Sequence, residues 1–152
     1  MNTTLRKTIA VFAVLVLLLI AYYGSYLPLQ KSRGFITAMR SLGPTATLAD
    51  FESNFSKALD ASSPIGQEEL VRQLGSIALN IVQQNNDPQA IKKVVAITEK
   101  YYEPIIRRNR GMSFGQNLYI LGSINELAFL KTREPEYFNL AKSYFLKAVE
   151  FG

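Results

Sequence analysis

Twenty-three consecutive residues, Thr8 to Gln30, carry no charged side chain. Within them IAVFAVLVLLLIA, Ile9 to Ala21, is apolar throughout. A helix of this stretch has no polar face, so it asks for an apolar solvent on every side. Continued through AYYGSYLPL it reaches about 33 Å at ~1.5 Å per residue, which matches the hydrocarbon core of a bilayer. Tyr22, Tyr23 and Tyr26 gather at one end. Their rings are apolar and their hydroxyls seek water, which suits the headgroup level. Lys31 and Arg33 follow and complete the predicted membrane interface. Pro28 predicts a break where the chain leaves the membrane. The pattern divides the chain into a short basic segment (1–7), a transmembrane helix (8–28) and a domain over 29–152.

A cleaved signal peptide is the rival reading. It would share the Arg6-Lys7 start, but cleavage wants small residues at alternate positions, and AYYGSY puts tyrosines there. Charge supports a retained membrane helix. All twelve carboxylates lie at or after Asp50; before it the only charged side chains are Arg6, Lys7, Lys31, Arg33 and Arg40. Basic flanks around an apolar run suit anionic headgroups. No nucleic-acid motif accompanies the charge, so nucleic acid is not an expected partner. Arg6 and Lys7 on one side oppose Lys31, Arg33 and Arg40 on the other, so the positive-inside rule is close to a tie.

The chain has neither Cys nor His. A cysteine nucleophile, a Ser-His dyad, a thiolate or imidazole zinc site and a disulfide framework all lack their residues. No catalytic, cofactor-binding or metal-binding residue is therefore assigned. Glu68-Glu69 could be read as acid-base carboxylates, but neighbours on a helix point about 100° apart and do not converge. They fit the first turn of a helix, where the dipole favours negative charge.

Beyond Pro28 the periodicity is helical. Leu29 to Leu42 puts Phe35, Ile36, Met39 and Leu42 on one side, and Gly43-Pro44 stops it. Thr47, with Asp50 three residues on, predicts a capping box before a face of Leu48, Phe51, Phe55, Ala58 and Leu59. Leu70, Leu74, Ile77, Ala78 and Ile81 form the next stripe. Asp87 caps a further helix with Pro88 as its first residue; Pro104 should kink or shorten it, and Gly111 should follow its end. Two more helices are expected near Gly115 to Thr132 and near Pro135 to Phe151. Short connections make successive helices antiparallel pairs. The fold class is all-α, one membrane helix followed by an array of helix pairs.

FSKALD (Phe55 to Asp60) and FLKAVE (Phe145 to Glu150) match closely, an aromatic standing three residues before an alanine in each. Small residues let two helices approach, and the aromatic fills the gap to the next pair. LYILGSINELAFL followed by LAKSYFLKAVEFG resembles a tetratricopeptide repeat: Leu121-Gly122 matches its first helix, and Ala141, Phe145 and Ala148 match the small–aromatic–small series of its second. The spacing from Gly122 to Ala141 is longer than the usual unit by about two helical turns, to be shared across the hairpin or its loop. In such a repeat a proline comes five residues after the second alanine, one place beyond Gly152. The last helix is thus expected to be the second half of a repeat cut at its exit turn, incomplete at the C-terminus, with an uncovered apolar face.

The order of an apolar helix, YLPLQKSRGFITAM, FSKALDASSPIGQEELVRQL and a lengthened tetratricopeptide hairpin resembles the C-terminal portion of the bacterial O-antigen ligase and polymerase superfamily. There a last membrane helix precedes a helical-repeat tail. The resemblance implies a cytoplasmic (inner) membrane protein, single-pass in this chain, with its repeat domain outside the cytoplasm. It also implies association with envelope glycan-assembly components, any glycan transfer residing in a membrane domain that this chain lacks. On this reading the chain is a non-enzymatic module that binds membrane lipid and a protein or peptide partner. The alternative is a stand-alone membrane-anchored scaffold or chaperone-like adaptor. Asn125, on the helix bearing Gly122, is the candidate groove contact. Arg107, Arg108 and Arg110 are candidates for a phosphate or acidic glycan, or form a solvated helix end.

Overall fold

The computed structural model describes residues 3–43, 47–111 and 113–151, and every regular element among them is helical. Pro44, expected to stop a helix, and Met1, Asn2 and Gly152, at the ends of predicted segments, lie outside the described residues. The α-helices are α1 (Thr3–Ala21), α2 (Leu27–Arg40), α3 (Leu48–Leu59), α4 (Gln67–Gln84), α5 (Pro88–Arg108), α6 (Phe114–Thr132) and α7 (Pro135–Glu150). A π-helical turn, Tyr22–Tyr26, joins α1 to α2.

The expected break at Pro28 does not occur. Thr3 to Arg40 is one continuous helix of 38 residues. A proline cannot donate to the preceding turn, and its ring crowds the carbonyl four residues back. The wide turn before it relieves this crowding. The Leu27 N–H reaches back to the Tyr22 carbonyl, opening the helix where Pro28 enters. The α1 side chains are exposed all round. This is one helix long and apolar enough to cross a membrane, and the apolar part of it is not buried in the protein.

The helix changes character in α2, where Lys31, Phe35 and Ala38 are buried. The expected face is rotated: Ile36 and Met39 stay exposed. Close approach explains the rotation. A Cβ on Gly34 would stand 3.6 Å from that of Ala58, so small residues draw α3 onto this side. Phe35 meets Phe55 edge-on at 5.2 Å between centroids, and Phe51 packs on Phe55 at 4.9 Å. Lys31 lies by Leu59, Phe35 by Phe55 and Ser41 by Asn54, so α2 and α3 run in opposite directions.

Lys31 is also a correction. Its side chain is not an open interface cation; it is packed against α3 and only 4% exposed. Its ammonium donates to the carbonyls of Leu59, at 3.0 Å, and Ala61, at 2.6 Å. Carbonyls at a helix C-terminus have no helical N–H left to accept from, and their partial negative charge attracts a cation. Burial lowers the Lys31 pKa, opposed by the nearby Asp60 carboxylate. Arg33 remains exposed.

The remaining ends follow ordinary capping chemistry. Thr47 and Asp50 form the reciprocal capping box of α3, and the Asp87 side chain accepts from Gln89 N–H at the start of α5, with Pro88 in the first turn. Pro104 does not shorten α5, which runs on to Arg108. Asn109, not Gly111, ends it in the left-handed conformation (φ 53°), which asparagine tolerates better than most residues.

In α4 the buried residues are Val71, Leu74, Gly75, Ala78 and Val82; the expected Leu70, Ile77 and Ile81 are only partly buried. Gly75 accounts for the turn of this face. A Cβ there would stand 2.2 Å from the Tyr102 hydroxyl and 2.8 Å from Ile120 Cγ2, so its absence admits α5 and α6 together. Arg72 bonds Gln116, and Lys131 bonds the Gln83 and Asn85 carbonyls, so α4 and α6 run the same way. Residues of α2 through α6 share one hydrophobic core, extended by a second cluster that includes Val82, Ile91, Val94 and Ile124.

Replacing Lys31 by methionine keeps the stem's packing but strips two charge-assisted hydrogen bonds from carbonyls. Such bonds contribute about 2 kcal/mol in favourable cases. Lys31→Met is expected to lower stability by about that amount in urea unfolding of the detergent-solubilised chain, whereas Arg33→Met leaves the midpoint unchanged.

Candidate interaction surface

The last hairpin brings together the predicted packing series. α6 and α7 are joined by Arg133 and Glu134 alone. A Cβ on Gly122 would stand 2.6 Å from the Phe145 ring, and one on Gly115 would meet the Phe151 carbonyl at 3.3 Å. Tyr119 pairs with Phe145 and Phe129 with Phe138, at 5.7 and 5.4 Å between centroids. These contacts fix opposite chain directions. Leu121 is fully buried and Ala141 nearly so, while Phe145 and Ala148 are half-buried.

Part of α7 beside its contact with α6 is uncovered. Phe138, Leu146 and Phe151 are exposed, and Val149 is 82% exposed. At the open end of the hairpin Phe151 meets Phe114 edge-on at 4.9 Å. Beside them lies an open groove of about 790 Å³, lined by Arg110, Ser113, Phe114, Gln116, Tyr119, Phe145, Val149 and others. Its walls are mainly apolar.

A second, smaller groove lies between α5 and α7. Glu99, Tyr102, Glu103, Ile106, Arg107, Leu140 and Tyr144 line it. Burial raises the Glu99 pKa, the hydrogen bond from Asn125 lowers it, and the Glu136 charge raises it further. Burial raises the Tyr144 phenol, reinforced by the Glu99 charge.

Asn125 does not offer itself to a groove. It is fully buried, and its amide donates to Glu99 Oε1 at 3.2 Å and to the Leu121 carbonyl at 3.0 Å. The turn of α6 that carries it is enclosed, because Gly122 brings α7 close. The three arginines do not converge either. Arg107 lines the α5–α7 groove, Arg110 lines the terminal groove, and Arg108 pairs with Glu68 at 2.7 Å. Glu68 and Glu69 part company likewise, Glu69 pairing with Arg72. Tyr22, Tyr23 and Tyr26 are exposed at the end of α1, Tyr22 stacking on Tyr26 at 5.5 Å.

One signal was missed in the sequence. LGSI occurs twice, Leu74 to Ile77 and Leu121 to Ile124. Both leucines are fully buried, and both glycines receive an aromatic ring from the next helix, Tyr102 at Gly75 and Phe145 at Gly122. The two sites occupy equal places in α4 and α6, and the repeated tetrapeptide would have revealed it. No protein-family model, curated protein or solved structure matches the chain.

The raised pKa of Glu99 gives a pH dependence with a definite sign. A carboxyl whose folded pKa lies above its unfolded one adds stability that is full below the unfolded value and lost as pH rises through the folded value. Ionised Glu99 therefore costs stability at neutral pH. Glu99→Gln is expected to be more stable than wild type at pH 7, the gap closing as pH falls into the ordinary glutamate range. A gap of constant size across urea melts at several pH values would contradict this origin.

Proposed function

We propose that this chain is a membrane-anchored helical-repeat module that holds a protein or peptide partner and carries out no catalysis of its own. The observation that carries the reading is the single helix from Thr3 to Arg40, unburied over its apolar part and packed into the domain through Lys31, Phe35 and Ala38. A signal sequence has the same length and hydropathy. Against it stands the continuity of the helix into core residues, which makes the apolar part an extension of the domain.

The repeat reading is supported by the two LGSI sites, by the glycine–aromatic contact in each hairpin and by the parallel course of α4 and α6. Stacked hairpins of this kind bind through extended surfaces. The strip of Phe138, Leu146, Val149 and Phe151 is the surface we assign to the partner. The order of segments supports a place beside envelope glycan assembly, as the non-catalytic tail of an O-antigen ligase-like enzyme, with the domain outside the cytoplasmic membrane.

A photo-crosslinking amino acid at Val149 in intact cells is expected to capture a discrete protein adduct, while the same group at exposed Gln89 does not. Absence of an adduct at Val149, or equal yields at both, would sink the partner assignment. A periplasmic alkaline phosphatase fused after Gly152 is expected to be active. Inactivity, with fluorescence from a cytoplasm-competent reporter at the same site, would place the domain on the other side.

A further inference from the structure

We propose that the end of the domain carrying the α3–α4 and α5–α6 turns lies against the membrane that α1 crosses, and meets anionic headgroups through Ile65, Arg107 and Arg110; this rests on the membrane-anchor reading above. Lys31 stands three residues past Pro28, about 4.5 Å along a helix axis. If α1 is spanned up to its tyrosines, Lys31 is at headgroup depth. Its ammonium holds the Leu59 and Ala61 carbonyls. The turn after α3 therefore begins at that depth.

The α5–α6 turn belongs to the same end. Glu68, in the first turn of α4, pairs with Arg108 at 2.7 Å. The same carboxylate stands where a Cβ on Gly111 would be, 2.8 Å away. So α4 starts, and α5 ends, within one short connection of Ala61.

The side chains of this end suit a lipid surface. Ile65 is 58% exposed in a turn, its carbonyl accepting from the Ser63 hydroxyl at 2.8 Å. Arg107 and Arg110 are exposed and stand outside the three ion pairs formed among the described residues. An exposed apolar side chain can enter the interfacial layer while cations at the same end of the domain meet phosphate. At the opposite end the described turn residues are Ser41–Gly43, Thr47, Asn85–Asp87 and Arg133–Glu134, and the one large apolar side chain among them, Leu42, is half-buried.

The chain has no cysteine, so single-cysteine variants of the whole protein report one site each. Leu17→Cys, Ile65→Cys and Asn86→Cys, all at exposed positions, would carry a nitroxide in vesicles of phosphatidylcholine and phosphatidylglycerol. Collision with oxygen and with a water-soluble nickel chelate then measures depth. The expected oxygen-to-nickel ratio is highest at Leu17 and severalfold higher at Ile65 than at Asn86. At Ile65 it falls towards the Asn86 value in phosphatidylcholine alone. A lipid-like Leu17 with equal ratios at Ile65 and Asn86 overturns the apposed face and leaves the anchor standing. A water-like Leu17 overturns the anchor and the face with it. An Ile65 ratio that is high in both lipids overturns the part given to the arginines.

Discussion

The structure turns on an ammonium group set against the carbonyl end of a helix. Lys31 reaches from α2 to the last carbonyls of α3, and through it an exposed apolar helix becomes part of a packed domain. Lys131 does the same for α4, donating to the carbonyls of Gln83 and Asn85 and to the Asn86 side chain. The ends of α5 and α6 are closed in another way. α5 and α6 close on Asn109 and Arg133 in the left-handed conformation, φ 53° and 62°, which folds the chain back over its own carbonyls. At the ends of α3 and α4, Asp60 and Asn85 have negative φ, and the carbonyls around them are met from another helix. Lys31 thereby ties two consecutive helices, and Lys131 ties two that α5 separates in the chain.

Glycine sets the second constraint. At Gly75 and Gly122 the approaching ring occupies the volume a Cβ would need. The cost at Gly75 is visible: the Tyr102 hydroxyl is buried without a hydrogen-bond partner. An unmet buried hydroxyl is unfavourable, and close packing of α4, α5 and α6 around it offsets the loss. At Gly122 the ring is a phenylalanine, and no such loss arises. Asn125 stands one turn after Leu121, where Ala78 stands after Leu74, and its amide finds Glu99. The second hairpin thus places a buried amide, bonded to half-buried Glu99 of α5, where the first has a methyl group.

Much of the fold was legible because local chemistry decided it. The Thr47–Asp50 box and the Asp87–Pro88 start need only neighbours in sequence, and they stand as read. The order and type of the helices followed from periodicity. What was not legible depends on partners far along the chain. Lys31 looked like a headgroup contact because lysine beside an apolar tract usually is one; its burial depends on α3, twenty-eight residues away. The faces of α2 and α4 were rotated because Gly34 and Gly75, which carry no hydrophobic weight in a stripe, fix where neighbours approach. Pro28 was misjudged because a π-turn can absorb a proline that an α-helix cannot. At the interaction surface, Gly122 and the Ala141, Phe145 and Ala148 series were singled out through a resemblance, whereas the glycine–aromatic contacts and the separation of Arg107, Arg108 and Arg110 into three environments were not legible.

Comparing the two hairpins shows what the surface of α7 lacks. α5 and α7 hold the same place after their LGSI helices. α5 buries Ile91, Val94, Val95, Thr98, Tyr101, Tyr102 and Ile105, because α4 lies on one side and α6 on another. α7 has α6 and little else, and of its described residues only Ala141 is buried. The difference is one of neighbours more than of residue type, since Phe138, Leu146 and Val149 are as apolar as the side chains α5 encloses.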